Sequence, residues 1–304
     1  MFAQYIGEIS AIGTAIAFAF GSTLFTIAGR AVGSPLVNRT RLVIAVLGVM
    51  LVHLLIYGEA IPFDAGFQPW FWLGLSGLVG LALGDAMLFQ AFVMVGPRIS
   101  MLLMALAPVI GAVLAWLFLD ESLGWIAIAG IVITVGGIVL VVTERDTSKK
   151  ESSVPDEPRT FFYGVLLALG GAFGQGGGQV LAKVGLANDF PAFSALMIRL
   201  IIATIVVWAF TVAQGKVISS YHDLKANPRA LGMLTIAALI GPILGVWLSL
   251  IAVQNAPVGI ATALSSLTPI FLIPIAYFVF GDKVTWQAII GTLIAVGGSI
   301  LLFV

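Results

Sequence analysis

The chain has 304 residues, 60% of them hydrophobic and 9% charged, against about 45–50% apolar and about 25% charged in a soluble domain. The 14 Lys and Arg balance the 14 Asp and Glu, so no polybasic field exists to hold nucleic-acid phosphates and no acidic tail to hold a basic partner. With no cysteine and only two histidines, His53 and His222, disulfides, thiolate chemistry and a three-histidine metal cage are excluded.

At about 1.5 Å of rise per residue, about 20 apolar residues cross a bilayer core of about 30 Å. In chain order, apolar runs bounded by charges or turn residues predict spans at 6–29, 36–57, 71–95, 99–119 and 125–143. The first run lacks a basic leader and is long enough to span, so it is expected to stay rather than be cleaved. Residues 144–160 gather charges, Ser and two prolines and read as a solvated linker. Further spans follow at 161–187, 192–213, 230–255, 258–280 and 286–304. These runs are continuously apolar, without the period-two alternation of a membrane β-barrel. The expected fold class is an all-α integral membrane protein with ten transmembrane helices. Its units would be a first five-helix repeat at 1–146, a linker at 147–158 and a second repeat at 159–304.

The repeat is legible in rare residues. Laid over 241–301 at an offset of 161, residues 80–140 place Gly80 and Gly84 on Gly241 and Gly245, Pro108 on Pro269, Trp125 on Trp286 and Gly130 on Gly291. The pair Gly136–Gly137 falls on Gly297–Gly298, and upstream Arg41-Leu42 resembles Arg199-Leu200. Five spans per half is an odd number, so the second half must enter from the opposite face. Inverted repeats give two near-equivalent packings around a site near the midplane, which points to alternating access.

Glycines at four-residue spacing predict close helix packing. In the sixth span Gln175 and Gln179 lie one turn apart among glycines, expected to face the interior or a water-filled cavity, with room left for a ligand. The alternative is that these amides only bridge helices. The first span carries a comparable polar pair, Ser22 and Thr23, and the eighth places Trp247 and Gln254 on one face; together these are the expected substrate contacts. Pro108 and Pro269, at corresponding positions inside the fourth and ninth spans, are expected to bend or unwind their helices, as a hinge or as a static kink.

Asp85, within the third span, is read as a proton carrier or counter-charge, or as the partner of Arg98 or Lys183; its repeat counterpart is Val246. Glu8, Lys183, Arg41 and Arg199 lie toward helix ends and read as snorkelling side chains. His53 reads as interfacial. No GxxxxGK[ST], HExxH or GxSxG sequence is present, so neither a built-in ATPase nor a hydrolase is expected. GGAFGQGGG lies inside a spanning helix, away from the strand-turn-helix setting that a dinucleotide fingerprint needs.

The Phe20-Gly21-Ser22-Thr23 stretch, Arg41 and Arg199, and the paired Pro108…Asp120-Glu121 and Pro269…Gly281-Asp282 patterns resemble the EamA-type branch of the drug/metabolite transporter superfamily, in two copies across the chain. The resemblance implies a ten-helix carrier exporting or exchanging small polar metabolites such as amino acids. It implies a cavity lined by the first, third, fourth, sixth, eighth and ninth spans. Asp120 and Asp282 depart from the usual Gly-Glu turn and read as helix caps.

All Lys and Arg except Lys183 and Arg199 fall on the side of the linker, which the positive-inside rule makes cytoplasmic and which puts both termini outside. Carriers of the resembled family keep both termini in the cytoplasm, so sidedness stays open. The expected function is a secondary transporter of the inner or plasma membrane, with a lipid flippase or a non-transporting scaffold as alternatives. A small-molecule substrate and membrane lipid are the expected partners. No cofactor is expected, and proton coupling would run through Asp85. A homodimer is allowed but not required, since one chain holds both halves.

Overall fold

The computed structural model describes residues 5–118, 124–144, 158–186, 190–255, 264–281 and 284–301. The linker at 147–157 and the Asp120-Glu121 and Asp282 turn residues lie outside them. The described helices are α1 Ile6–Val32, α2 Ser34–Tyr57, α3 Phe67–Ser76, α4 Asp85–Met104, α5 Leu106–Phe118, α6 Trp125–Glu144, α7 Pro158–Gly185 and α8 Ala192–Ala213. After these come α9 Val217–Ala226, α10 Pro228–Ala238, α11 Val246–Asn255, α12 Thr268–Phe280 and α13 Trp286–Leu301. No strand occurs among the described residues. Among the described residues seven stretches are long and apolar enough to cross a membrane, and α5, α12 and α13 are shorter apolar helices. Large apolar side chains such as Leu55, Phe118 and Phe278 are more than 70% exposed, an outer surface suited to lipid rather than water.

Two wide-turn segments interrupt the runs predicted as third and eighth spans. Gly77–Gly84 joins α3 to α4, and Leu239–Gly245 joins α10 to α11, both as π-helix. At the offset of 161 the second falls on 78–84, so the irregularity is itself repeated. A π turn widens the backbone and displaces carbonyls from their helical donors, and such bulges gather at functional sites. Neither segment is visible in the hydrophobic pattern, because one extra residue leaves no trace in a run that is apolar on every face.

Other breaks have local causes. Gly96 takes φ +80 inside α4, directly before Pro97, a backbone that only glycine adopts cheaply. The helix breaks again at Ala105, and Pro108 is the third residue of α5; Pro269 is the second residue of α12, after the turn at 266–267. The two prolines expected inside spans therefore lie in first turns, where the missing N–H would have had no intrahelical acceptor. Ser299 donates to the carbonyl of Ala105 (3.1 Å), and Thr268 to that of Ser265 (3.1 Å).

The halves interlock through glycine. A Cβ on Gly174 would lie 2.6 Å from Gly84 Cα, and one on Gly178 3.1 Å from Gly80 Cα, so α7 lies against the third-span π segment. The counterpart contact sets Gly21 of α1 against the eighth-span π segment, where a Cβ on Gly21 would lie 3.3 Å from Gly241 Cα. In α6 and α13, Gly298 meets the Gly130 carbonyl and Gly137 the Gly291 carbonyl. Under the offset these are one contact with its partners exchanged. The pairing 130 with 298 and 137 with 291 also makes the two corresponding helices antiparallel.

A candidate functional site at the third-span π segment

The site is built from α2, the π segment with the start of α4, α7 and α8. Arg41 of α2 is buried and ion-paired with Asp85, the first residue of α4, itself buried. Asn38, one turn before Arg41, accepts from its Nε (3.2 Å) and Nη2 (3.1 Å), and the guanidinium lies 4.8 Å over the Phe89 ring. Gln175 of α7 donates to the other carboxylate oxygen of Asp85 (2.5 Å). Both oxygens of Asp85 thus have donors, which meets the requirement for a charge held away from water.

The π segment supplies acceptors to the same group. The carbonyls of Gly80, Leu81 and Ala82 accept from Gln175 (3.4 Å), Arg41 (3.2 Å) and Asn38 (3.4 Å) respectively. Three successive carbonyls of an irregular backbone are each met by a side chain from α2 or α7. Irregular backbone at membrane depth persists where the surrounding protein satisfies it in this way.

Arg199 enters from α8, its backbone packed on Gly77. A Cβ on Gly80 would meet Arg199 Nη2 at 3.5 Å and Gln175 Oε1 at 3.8 Å, and the guanidinium interacts electrostatically with Asp85. Its Nε is buried without a hydrogen-bond partner. Arg41 and Arg199, expected to snorkel toward opposite membrane faces, both turn inward to this segment. A fixed carboxylate and an acceptor-rich backbone outweigh the short reach to water, and Arg41 leaves the loop charges counted on the linker side.

The other expected site residues distribute as follows. Gln179 is exposed one turn beyond Gln175. Ser22 and Thr23 are buried and donate to Ala19 O of their own helix (3.0 and 2.8 Å). Thr23 also borders a cavity of about 430 Å³ between α1 and α12, lined otherwise by apolar side chains including Phe20, Ile27, Pro274 and Phe278. Trp247 is half exposed on α11, a helix that packs along α1. The side chain of Gln254 lies outside the described residues. Asp85 and Gln175 are thus brought together, whereas Ser22, Thr23 and Trp247 are placed on α1 and α11.

Two further expectations change. Asp85 pairs with Arg41 rather than with Arg98 or Lys183. The glycines around Gln175 leave little empty room: neighbouring backbone fills most of them, Gly176 against Ala107 O and Gly174 against Gly84 Cα. Asn38 joins the site unannounced by the pattern; its one sequence signal is an amide one turn before an arginine. His53, near the end of α2, is fully buried within the protein, its ring nitrogens hydrogen-bonded with Glu59 O (2.6 Å) and Ser194 Oγ (2.9 Å). Those bonds tie the end of α2 to the start of α8. Among the described residues no cluster of His, Cys, Asp or Glu could hold a metal.

Apolar helices with charged groups gathered inside them define a multi-pass membrane protein. The EamA-like transporter family matches the chain twice, over residues 5–143 and 162–304, and the chain belongs to that family. A solved crystal structure of a protein 18% identical aligns over 99% of this chain and 95% of its own with a TM-score of 0.59, a likeness of fold. No curated protein sequence matches the chain.

Proposed function

We propose that this protein is a secondary carrier of small polar metabolites, exporting or exchanging them across the inner or plasma membrane by alternating access. Ten membrane crossings result when Phe67–Met104 is divided at Gly96 and its second part is joined to α5. The two five-span halves, 1–146 and 159–304, are then inverted, a reading supported by the antiparallel run of α6 and α13.

The observation that carries the proposal is the Arg41–Asp85–Gln175 group on a π segment where helices from both halves meet. A polar cluster inside a bundle of inverted repeats is where carriers bind their cargo. Gln175 holds the substrate, Gln179 extends the site along the same helix face, and Asp85 fixes the charge of the site. Ser22 and Thr23 of α1 are the counterpart polar positions in the first half.

The test compares metabolites in medium and cytosol of cells expressing wild type or Gln175→Leu/Gln179→Leu at equal folded levels. Metabolites moved by wild type alone are expected. Wild type indistinguishable from empty cells in both compartments, and inactive in proteoliposomes loaded with the same metabolite mixture, overturns the carrier reading.

A further inference from the structure

The charges around the π segment do not balance. Two guanidiniums, Arg41 and Arg199, reach it, and Asp85 is the carboxylate that meets them. Arg41 takes that carboxylate in an ion pair and adds hydrogen bonds to Asn38 and Leu81 O. Among the described residues Arg199 holds no such pair, and its Nε is buried without a hydrogen-bond partner. A guanidinium is always protonated, so the imbalance cannot be relieved by losing a proton.

The internal repeat explains how the surplus arises. The first half places Asp85 directly after its π segment, and that acid neutralises the half's own arginine. In the second half the position directly after the π segment is Val246. With no acid at that position, the Arg199 guanidinium lies beside Gly80 across the repeat boundary, where Gln175 also reaches. Arg199 is half-buried with its Nε fully enclosed, and a cation drawn from water without a full counter-charge is costly, more so at membrane depth. Its planar fork matches a carboxylate in a bidentate pair.

We propose that Arg199 receives the carboxylate of the substrate, so that the carrier's cargo is an organic acid or an amino acid, whose own carboxylate supplies the charge that Val246 does not. The Arg41–Asp85 pair acts as a positioning element: it occupies the acid of the site and keeps it from closing on Arg199. Gln175, which donates through Nε2 to Asp85, keeps its Oε1 beside Gly80, where the Arg199 guanidinium also lies, for a donor group on the same substrate. The inference rests on the carrier reading for its physiological meaning, but its binding chemistry is separable from transport.

The experiment measures thermal stabilisation of the full chain in nanodiscs by matched pairs: L-amino acids against their amides, and C3–C6 mono- and dicarboxylates against theirs, with sodium chloride as an inorganic anion. At least one acid is expected to stabilise wild type where its amide does not. Arg199→Gln is expected to weaken that acid at least tenfold, with Arg199→Lys between the two. Acids and amides acting alike, no acid acting at all, or chloride alone matching the best acid would overturn the proposal. So would Arg199→Gln binding the acid as wild type does. The acid-against-amide comparison uses wild type only, so it stands if the variant does not fold. In proteoliposomes, an acid that binds through Arg199 but is not carried leaves this inference standing and removes the carrier reading. Arg199-independent flux of neutral or cationic metabolites does the reverse.

Discussion

Arg41 of α2 and Asp85 of α4 form an ion pair buried within the bundle, with the carboxylate also bound by Gln175 and the guanidinium lying over Phe89. The pair bridges the second and third spans where the third is locally π-helical. Removing one partner leaves the other charge buried alone, at a cost of about 3–5 kcal/mol. Asp85→Asn and Arg41→Gln are each expected to unfold earlier in a detergent titration by amounts in that range. The double variant should lose clearly less than the sum of the two. An additive double variant would mean that the two groups are solvated independently, against the geometry of the pair.

The two sixth-span amides should separate experimentally. Gln175 donates to Asp85 and to Gly80 O, whereas Gln179 is exposed. Hydrogen bonds between helices in membranes average about 0.6 kcal/mol, with larger cases near 1.7. Gln175→Leu is expected to cost at least that, because it also strips a donor from a buried carboxylate. Gln179→Leu should leave stability within about 0.5 kcal/mol, while both variants lower substrate flux. Unfolding curves beside flux measurements on the same preparations decide this.

Glycines that look alike in the sequence are not alike in the fold. Gly136 and Gly297 have nothing within 4 Å of an added Cβ, whereas their neighbours Gly137 and Gly298 would press on the backbone of the facing helix. Overpacking costs about 1–3 kcal/mol. Gly137→Ala and Gly298→Ala are expected to destabilise by that amount, with Gly136→Ala and Gly297→Ala neutral or slightly stabilising as alanine raises helix propensity. Equal losses at all four positions would contradict the α6–α13 packing.

The same residues mark the boundary between what the sequence makes legible and what it hides. The apolar runs and the doubled Gly, Pro and Trp positions mark the helices and the repeat, because lipid demands long apolar segments and the repeat keeps rare residues in register. Asp85 and Gln175 stand out as polar groups in an apolar chain. Their meeting does not, since it depends on α7 crossing the third span at Gly80 and Gly84, and helix-to-helix contacts leave no local signature. Arg41 misleads for a related reason: distance from a helix end can be counted along the sequence, but the inward pull of a distant carboxylate cannot. Asn38 and the π segments stay hidden because each acts through backbone carbonyls, which every residue has alike.

The break at Ala105 gives the last contrast. Pro108 sits in the first turn of α5, and the Ala105 carbonyl at the break accepts from Ser299 Oγ of α13 at 3.1 Å. If proline made the bend, replacing it would straighten the helix and change stability substantially. In a first turn its missing N–H has no acceptor to lose, so Pro108→Ala is expected to shift stability by less than about 1 kcal/mol. Ser299→Ala instead removes the hydrogen bond that ties α13 to the break and should cost about 1–2 kcal/mol, with Ser299→Thr retaining most of it through the same hydroxyl. The two ranges separate cleanly in unfolding titrations, and a larger loss for Pro108→Ala than for Ser299→Ala would show that the proline, not the serine contact, fixes the break.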